Sequence, residues 1–119
     1  MKNSVFFKQA ELMLRLIPYV AREECFAIKG GTAINFFLRN MPRLSVDIDL
    51  TYLPLEPREE ALNNIGAALL RIANSIRNVS SQYYNVREGR SHNGTKLSKL
   101  FVSDDYSQVT IEPNEILRG

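Results

Sequence analysis

The chain has 119 residues, 45% hydrophobic and 24% charged, which suits one ordinary domain with a real core. Its 15 Lys+Arg against 13 Asp+Glu leave a formal charge of +2, too balanced to argue nucleic-acid binding by charge alone. A single cysteine, Cys25, excludes an internal disulfide, and no apolar run approaches the roughly 20 residues of a membrane span, so the expected location is cytoplasmic.

From the N-terminus, Phe6, Ala10, Met13 and Ile17 recur at three- and four-residue steps and predict an amphipathic helix. Lys8, Glu11 and Arg15 fall off that stripe and argue against a signal peptide. Pro18 is expected to kink or end the helix. The run Cys25–Ile28 reads as a buried strand, with Cys25 a buried structural thiol, and feeds a turn at Lys29-Gly30-Gly31. Thr32–Asn40 reads as a short helix that stops near Pro42.

Arg43–Tyr52 then alternates, with Leu44, Val46, Ile48 and Leu50 on one face and Ser45, Asp47, Asp49 and Thr51 on the other. Pro57, Glu59 and Glu60 mark the start of a helix whose stripe is Leu62, Ile65, Leu69, Ile72 and Ile76, ending near Asn78. Gln82–Glu88 and Thr95–Val102 read as strands joined through Asn93-Gly94, and Ser107–Pro113 as a last strand with Val109 and Ile111 opposite Thr110 and Glu112. Helix, strand, helix, strand, helix and a closing meander predict an α/β (α+β) fold, a small mixed sheet flanked by helices. No repeat, low-complexity tract or linker interrupts it.

The chemistry concentrates between Lys29 and Asp49. Side chains two apart on a strand point the same way, so Asp47 and Asp49 present both carboxylates to one site. Paired carboxylates repel unless a cation or proton lies between them. Hard divalent cations such as Mg²⁺ or Mn²⁺ take oxygen ligands and share them with substrate phosphates. Gly30, Gly31 and Thr32, between a strand and a helix, would sit at a helix N-terminus, where free N–H groups favour a phosphate. Neither the P-loop spacing nor the dinucleotide-binding Gly-x-Gly-x-x-Gly is present.

The order Lys29-Gly30-Gly31-Thr32, a short helix, then Arg43-x-Ser45-x-Asp47-x-Asp49 resembles the minimal nucleotidyltransferases of the DNA polymerase beta superfamily. Within them it is most similar to the AbiEii-type toxins of bacterial abortive-infection and toxin–antitoxin pairs. The resemblance implies a metal-dependent enzyme that transfers NMP from an NTP to an RNA, such as tRNA, or to a protein, with a cognate antitoxin as partner. It implies Asp47 and Asp49 as catalytic metal ligands with Mg²⁺ (or Mn²⁺), and a third catalytic, metal-binding acid on a later strand, which Glu112 resembles. Lys29, Gly30, Gly31, Thr32, Arg43 and Ser45 would bind the nucleotide. Family members usually carry a further helical C-terminal part, so residues 1–119 are read as a single nucleotidyltransferase-like domain without it. The alternative is a truncated, non-catalytic domain that binds nucleotide or a partner.

Other polar residues have plainer readings. Lys29 could equally be a solvated strand-end lysine, and Ser45 an ordinary strand-surface residue. His92 reads as a solvated loop histidine, and Asp104 and Asp105 as turn residues. Tyr83 and Tyr84 could stack a base but more simply split between core and surface. Arg87, Arg90, Lys96 and Lys99 give the C-terminal hairpin a basic bias that could attract RNA or a triphosphate, or merely protect a sheet edge.

Overall fold

The computed structural model describes residues 2–28, 45–80, 82–91 and 93–114, and the side chains of all of these except 2–7, 45, 46 and 80. In chain order the elements are α1 (Lys2–Ala21), β1 (Phe26–Ile28), β2 (Ser45–Tyr52), α2 (Arg58–Ser80), β3 (Asn85–Ser91), β4 (Lys96–Ser103) and β5 (Gln108–Asn114). The strands form one five-stranded sheet in the order β1-β2-β5-β4-β3. β2 and β5 run parallel, and the remaining pairs are antiparallel, so the sheet is mixed as expected. The helix expected over Thr32–Asn40 lies outside the described residues.

Both helices cover one face of the sheet, α1 against β1, β2 and β5 and α2 against β3 and β4. Alternation along each strand decides which side chains meet them. Ile48, Leu50, Leu100, Val102, Val109 and Ile111 are fully buried there, with Leu12 and Leu16 of α1 and Leu69, Ile72 and Ile76 of α2. The α2 stripe is the expected one, although Leu62 is only half-buried and Ala61, Ala68 and Ala73 complete the contact. Glu59 and Glu60 in its first turn and Arg77 in its last complement the helix dipole. Among the described residues, neither helix is long and apolar enough to cross a membrane.

The expected stripe of α1 needs correction. Its buried face is Gln9, Leu12, Met13, Leu16 and Val20, whereas Ala10 and Ile17 are half-buried flanks. The two stripes are adjacent and share Met13; burial of three large aliphatic side chains favours the observed one. Pro18 does not end the helix, which continues to Ala21. A proline removes one N–H bond to the carbonyl four residues earlier. That carbonyl belongs to Leu14, which is 61% exposed, and Pro18 is exposed as well, so water can satisfy it. Leu16 and Val20, on either side of Pro18 in sequence, remain buried and hold the turn to the sheet.

The β3–β4 connection forms at the expected pair. Asn93 (φ 59°) and Gly94 (φ 83°) both occupy the left-handed region that a tight primed turn demands. β3 begins at Asn85, later than expected, so Tyr83 and Tyr84 precede it. They do divide as read: Tyr83 is exposed and Tyr84 packs against the core.

Candidate active site

The face of the sheet opposite the helices carries the polar halves of the alternating strands. On β2 these are Asp47, Asp49 and Thr51, since Ile48, Leu50 and Tyr52 turn inward. β5 lies directly beside β2, and its parallel register sets Asp47 opposite Thr110 and Asp49 opposite Glu112. Partners in register share a face. The carboxylates of Asp47, Asp49 and Glu112 therefore occupy two adjoining rows of two central strands, on the side away from the core. Asp49 and Glu112 are half-buried and Asp47 is more open.

The neighbourhood of Asp47 alters its acidity. Partial desolvation against the sheet raises its pKa first, the Asp49 carboxylate raises it further, and Lys99 of β4 opposes both. Two like charges close enough to disturb one another are the arrangement that a cation would relieve. Carboxylate oxygens are also the donor type that Mg²⁺ prefers. Among the described residues, no three His, Cys, Asp or Glu side chains converge as a ready cage for an ion. Mg²⁺ rarely needs such a cage, because one or two carboxylates usually hold it together with substrate phosphates and water. The donor set fits an ion of that kind completed by its substrate.

β2 is anchored just beyond the acids. Tyr52 donates a 2.6 Å hydrogen bond to Glu56, which also accepts from Asn64 of α2. Burial and the bond to Glu56 push the Tyr52 hydroxyl up to about 12. On the other side β1 pairs antiparallel with β2, and Ile28 lies opposite Leu50, one residue past Asp49. Lys29, Gly30, Gly31, Thr32 and Arg43 lie outside the described residues. Ser45 opens β2 opposite Gln108, and its side chain is outside them too.

Residues 11–114 match the family model described as nucleotidyl transferase AbiEii toxin, type IV TA system. The chain belongs to this family. The matched range takes in Lys29–Thr32, the β2 aspartates and Glu112. Comparisons with curated proteins and with solved structures find no match. The description of this family names a nucleotidyl transferase and a toxin of type IV toxin–antitoxin systems.

The remaining polar residues of this AbiEii-family domain fall into two groups. Asp104 accepts the backbone N–H groups of Tyr106 and Ser107 and shapes the β4–β5 turn, as a turn residue should. His92 is outside the described residues. Arg90 pairs with Glu88, and Lys96 binds Glu59 and Asn63 of α2, so these two cations are committed to acids and amide. Arg87 and Lys99 instead flank the Phe101 ring, at 5.3 and 5.9 Å from its centre, on the polar face. Sequence reasoning found the basic bias of this hairpin but not this division. The only available signal was the alternation of β4, broken by a bulge that pairs Gly89 with Lys99 and then Arg90 with Leu97.

Proposed function

We propose that this chain transfers a nucleoside monophosphate from an NTP to a hydroxyl of an RNA, such as tRNA, or of a protein. The observation that carries the reading is the parallel register that sets Glu112 opposite Asp49, with Asp47 on the same face. Asp47 and Asp49 would hold Mg²⁺ or Mn²⁺, which when bound neutralises charge on the triphosphate and the departing pyrophosphate. Gly30, Gly31 and Thr32 would cradle the triphosphate through backbone N–H groups and the threonine hydroxyl. Lys29 and Arg43 would add positive charge, and Ser45 would orient the strand's acidic side.

The reaction makes one bond and breaks one. The acceptor oxygen bonds to the α-phosphorus, the bond from that phosphorus to the bridging oxygen breaks, and pyrophosphate leaves. Glu112 accepts the hydroxyl proton as general base. A cognate antitoxin would be the cellular partner, in keeping with the family.

Pyrophosphate release, measured with each NTP, Mg²⁺ or Mn²⁺, and an RNA or protein acceptor, tests this. Release abolished by Asp49→Asn is the expected result. NTP binding with no release under any combination would instead make the chain a nucleotide-binding domain without turnover.

A further inference from the structure

The polar sheet face is divided by charge. One row runs across four strands: Asp47 of β2, Thr110 of β5, Phe101 of β4 and Arg87 of β3, each opposite the next. The adjoining row holds Asp49 opposite Glu112, and Lys99 opposite Gly89. Acids occupy β2 and β5; the cations and the aromatic ring occupy β4 and β3. Gly89 makes room for this arrangement, since a Cβ there would lie 2.5 Å from Lys99 Cγ and 3.0 Å from Phe101 Cε2. A bare residue in mid-strand commonly marks such close approach.

Arg87 and Lys99 form no ion pair among the described residues, in contrast to Arg90 and Lys96. Their charge stays available, except that Lys99 also lowers the pKa of Asp47. With strands about 4.8 Å apart, Phe101 lies about 10 Å and Arg87 about 14 Å from Asp47 along the row. Cations beside an aromatic ring are the elements by which single-stranded nucleic acid is held, through phosphate contact and base stacking.

We propose that Arg87, Phe101 and Lys99 bind the acceptor as a single-stranded RNA end, and deliver its terminal hydroxyl to Glu112 and the β2 aspartates. This rests on the nucleotidyl-transfer reading. The shared chemistry of phosphate and base also belongs to NTP itself, so the test separates the two ligands.

Anisotropy of a 5′-labelled single-stranded oligoribonucleotide with a free terminal hydroxyl would be measured beside binding of a fluorescent NTP with Mg²⁺. Arg87→Glu should weaken the oligonucleotide at least about tenfold, with unchanged NTP affinity and melting temperature. Arg87→Ala should reduce the salt slope of oligonucleotide binding by about 0.7, the share of one phosphate contact on a single strand. Arg87→Lys should retain most of the affinity. Phe101→Leu, which keeps the packing apolar, should weaken the oligonucleotide and spare NTP.

Unchanged oligonucleotide affinity in Arg87→Glu would overturn the proposal, as would a parallel loss of NTP affinity, which would hand the strip to the donor nucleotide. A wild type that modifies a protein and binds no oligonucleotide would also overturn it, leaving transfer to protein intact. If oligonucleotide binding depends on Arg87 but no NTP binds, the strip stands as an RNA-binding face and the transfer reading fails.

Discussion

The two faces of this sheet are built from alternate residues of the same strands, yet they obey different physics. Ile111 and Glu112 are neighbours on β5; Ile111 is fully buried under the helices and Glu112 stands beside Asp49 on the other side. The helix face gains stability from every apolar group it removes from water. The polar face gathers like charges that a stable protein would rather separate. One face holds the fold while the other accepts an electrostatic cost, and the contrast can be tested one residue at a time.

The largest effect is expected on the buried face. Ile111→Ala should cost about 2–5 kcal/mol, the range for a large aliphatic residue truncated in a core. Urea unfolding checks this, and a cost under about 1 kcal/mol would mean that the helices do not hold this strand as described.

Next in size is Glu112→Gln, one residue along. It should melt at or above the wild-type temperature without metal, because it removes a like charge placed opposite Asp49. Turnover should fall at least roughly 10²-fold, the scale of a positioned general base. Near-wild-type pyrophosphate release would remove Glu112 from the site.

A smaller effect is expected from ligands. Mg²⁺ together with NTP should raise the melting temperature more than either alone, since phosphates complete the ion's shell. Asp47→Asn combined with Asp49→Asn should abolish that extra stabilisation. An identical shift in the double variant would show that the ion binds elsewhere.

The subtlest test is pH. The folded chain holds the Asp47 proton more tightly than the unfolded chain, through desolvation and then Asp49. This contribution to stability is present below the unfolded value of about 4 and is lost as pH rises through the folded titration. Without metal, Asp47→Asn should therefore melt above the wild type at neutral pH, with the gap closing below about pH 4. A gap independent of pH would assign the effect to packing.

Local pattern made much of this legible. Period-two alternation gave β2 its inward Ile48 and Leu50 and outward Asp47 and Asp49, and the Asn93-Gly94 pair marked a turn that only positive φ allows. The stripe of α2 was equally clear. α1 was not, because its apolar residues cover more than one helical face, and contact with the sheet selects among them. Of the two effects expected of Pro18, a helix end does not occur for a related reason: its lost hydrogen bond lies toward solvent, while tertiary burial of Leu16 and Val20 sustains the helix.

What the sequence determined by itself was therefore local: the faces of the strands, the turn chemistry, and the two aspartates that share one side of β2. Only the tertiary structure decided that β5 would lie parallel to β2, with Glu112 opposite Asp49. It also decided that Arg87 and Lys99, among the hairpin's four basic residues, would flank Phe101 on the acids' side of the sheet. The reason is distance along the chain. Periodicity reports which way a side chain points, whereas strand order and register are set by core packing between segments some sixty residues apart, through contacts that no local window contains.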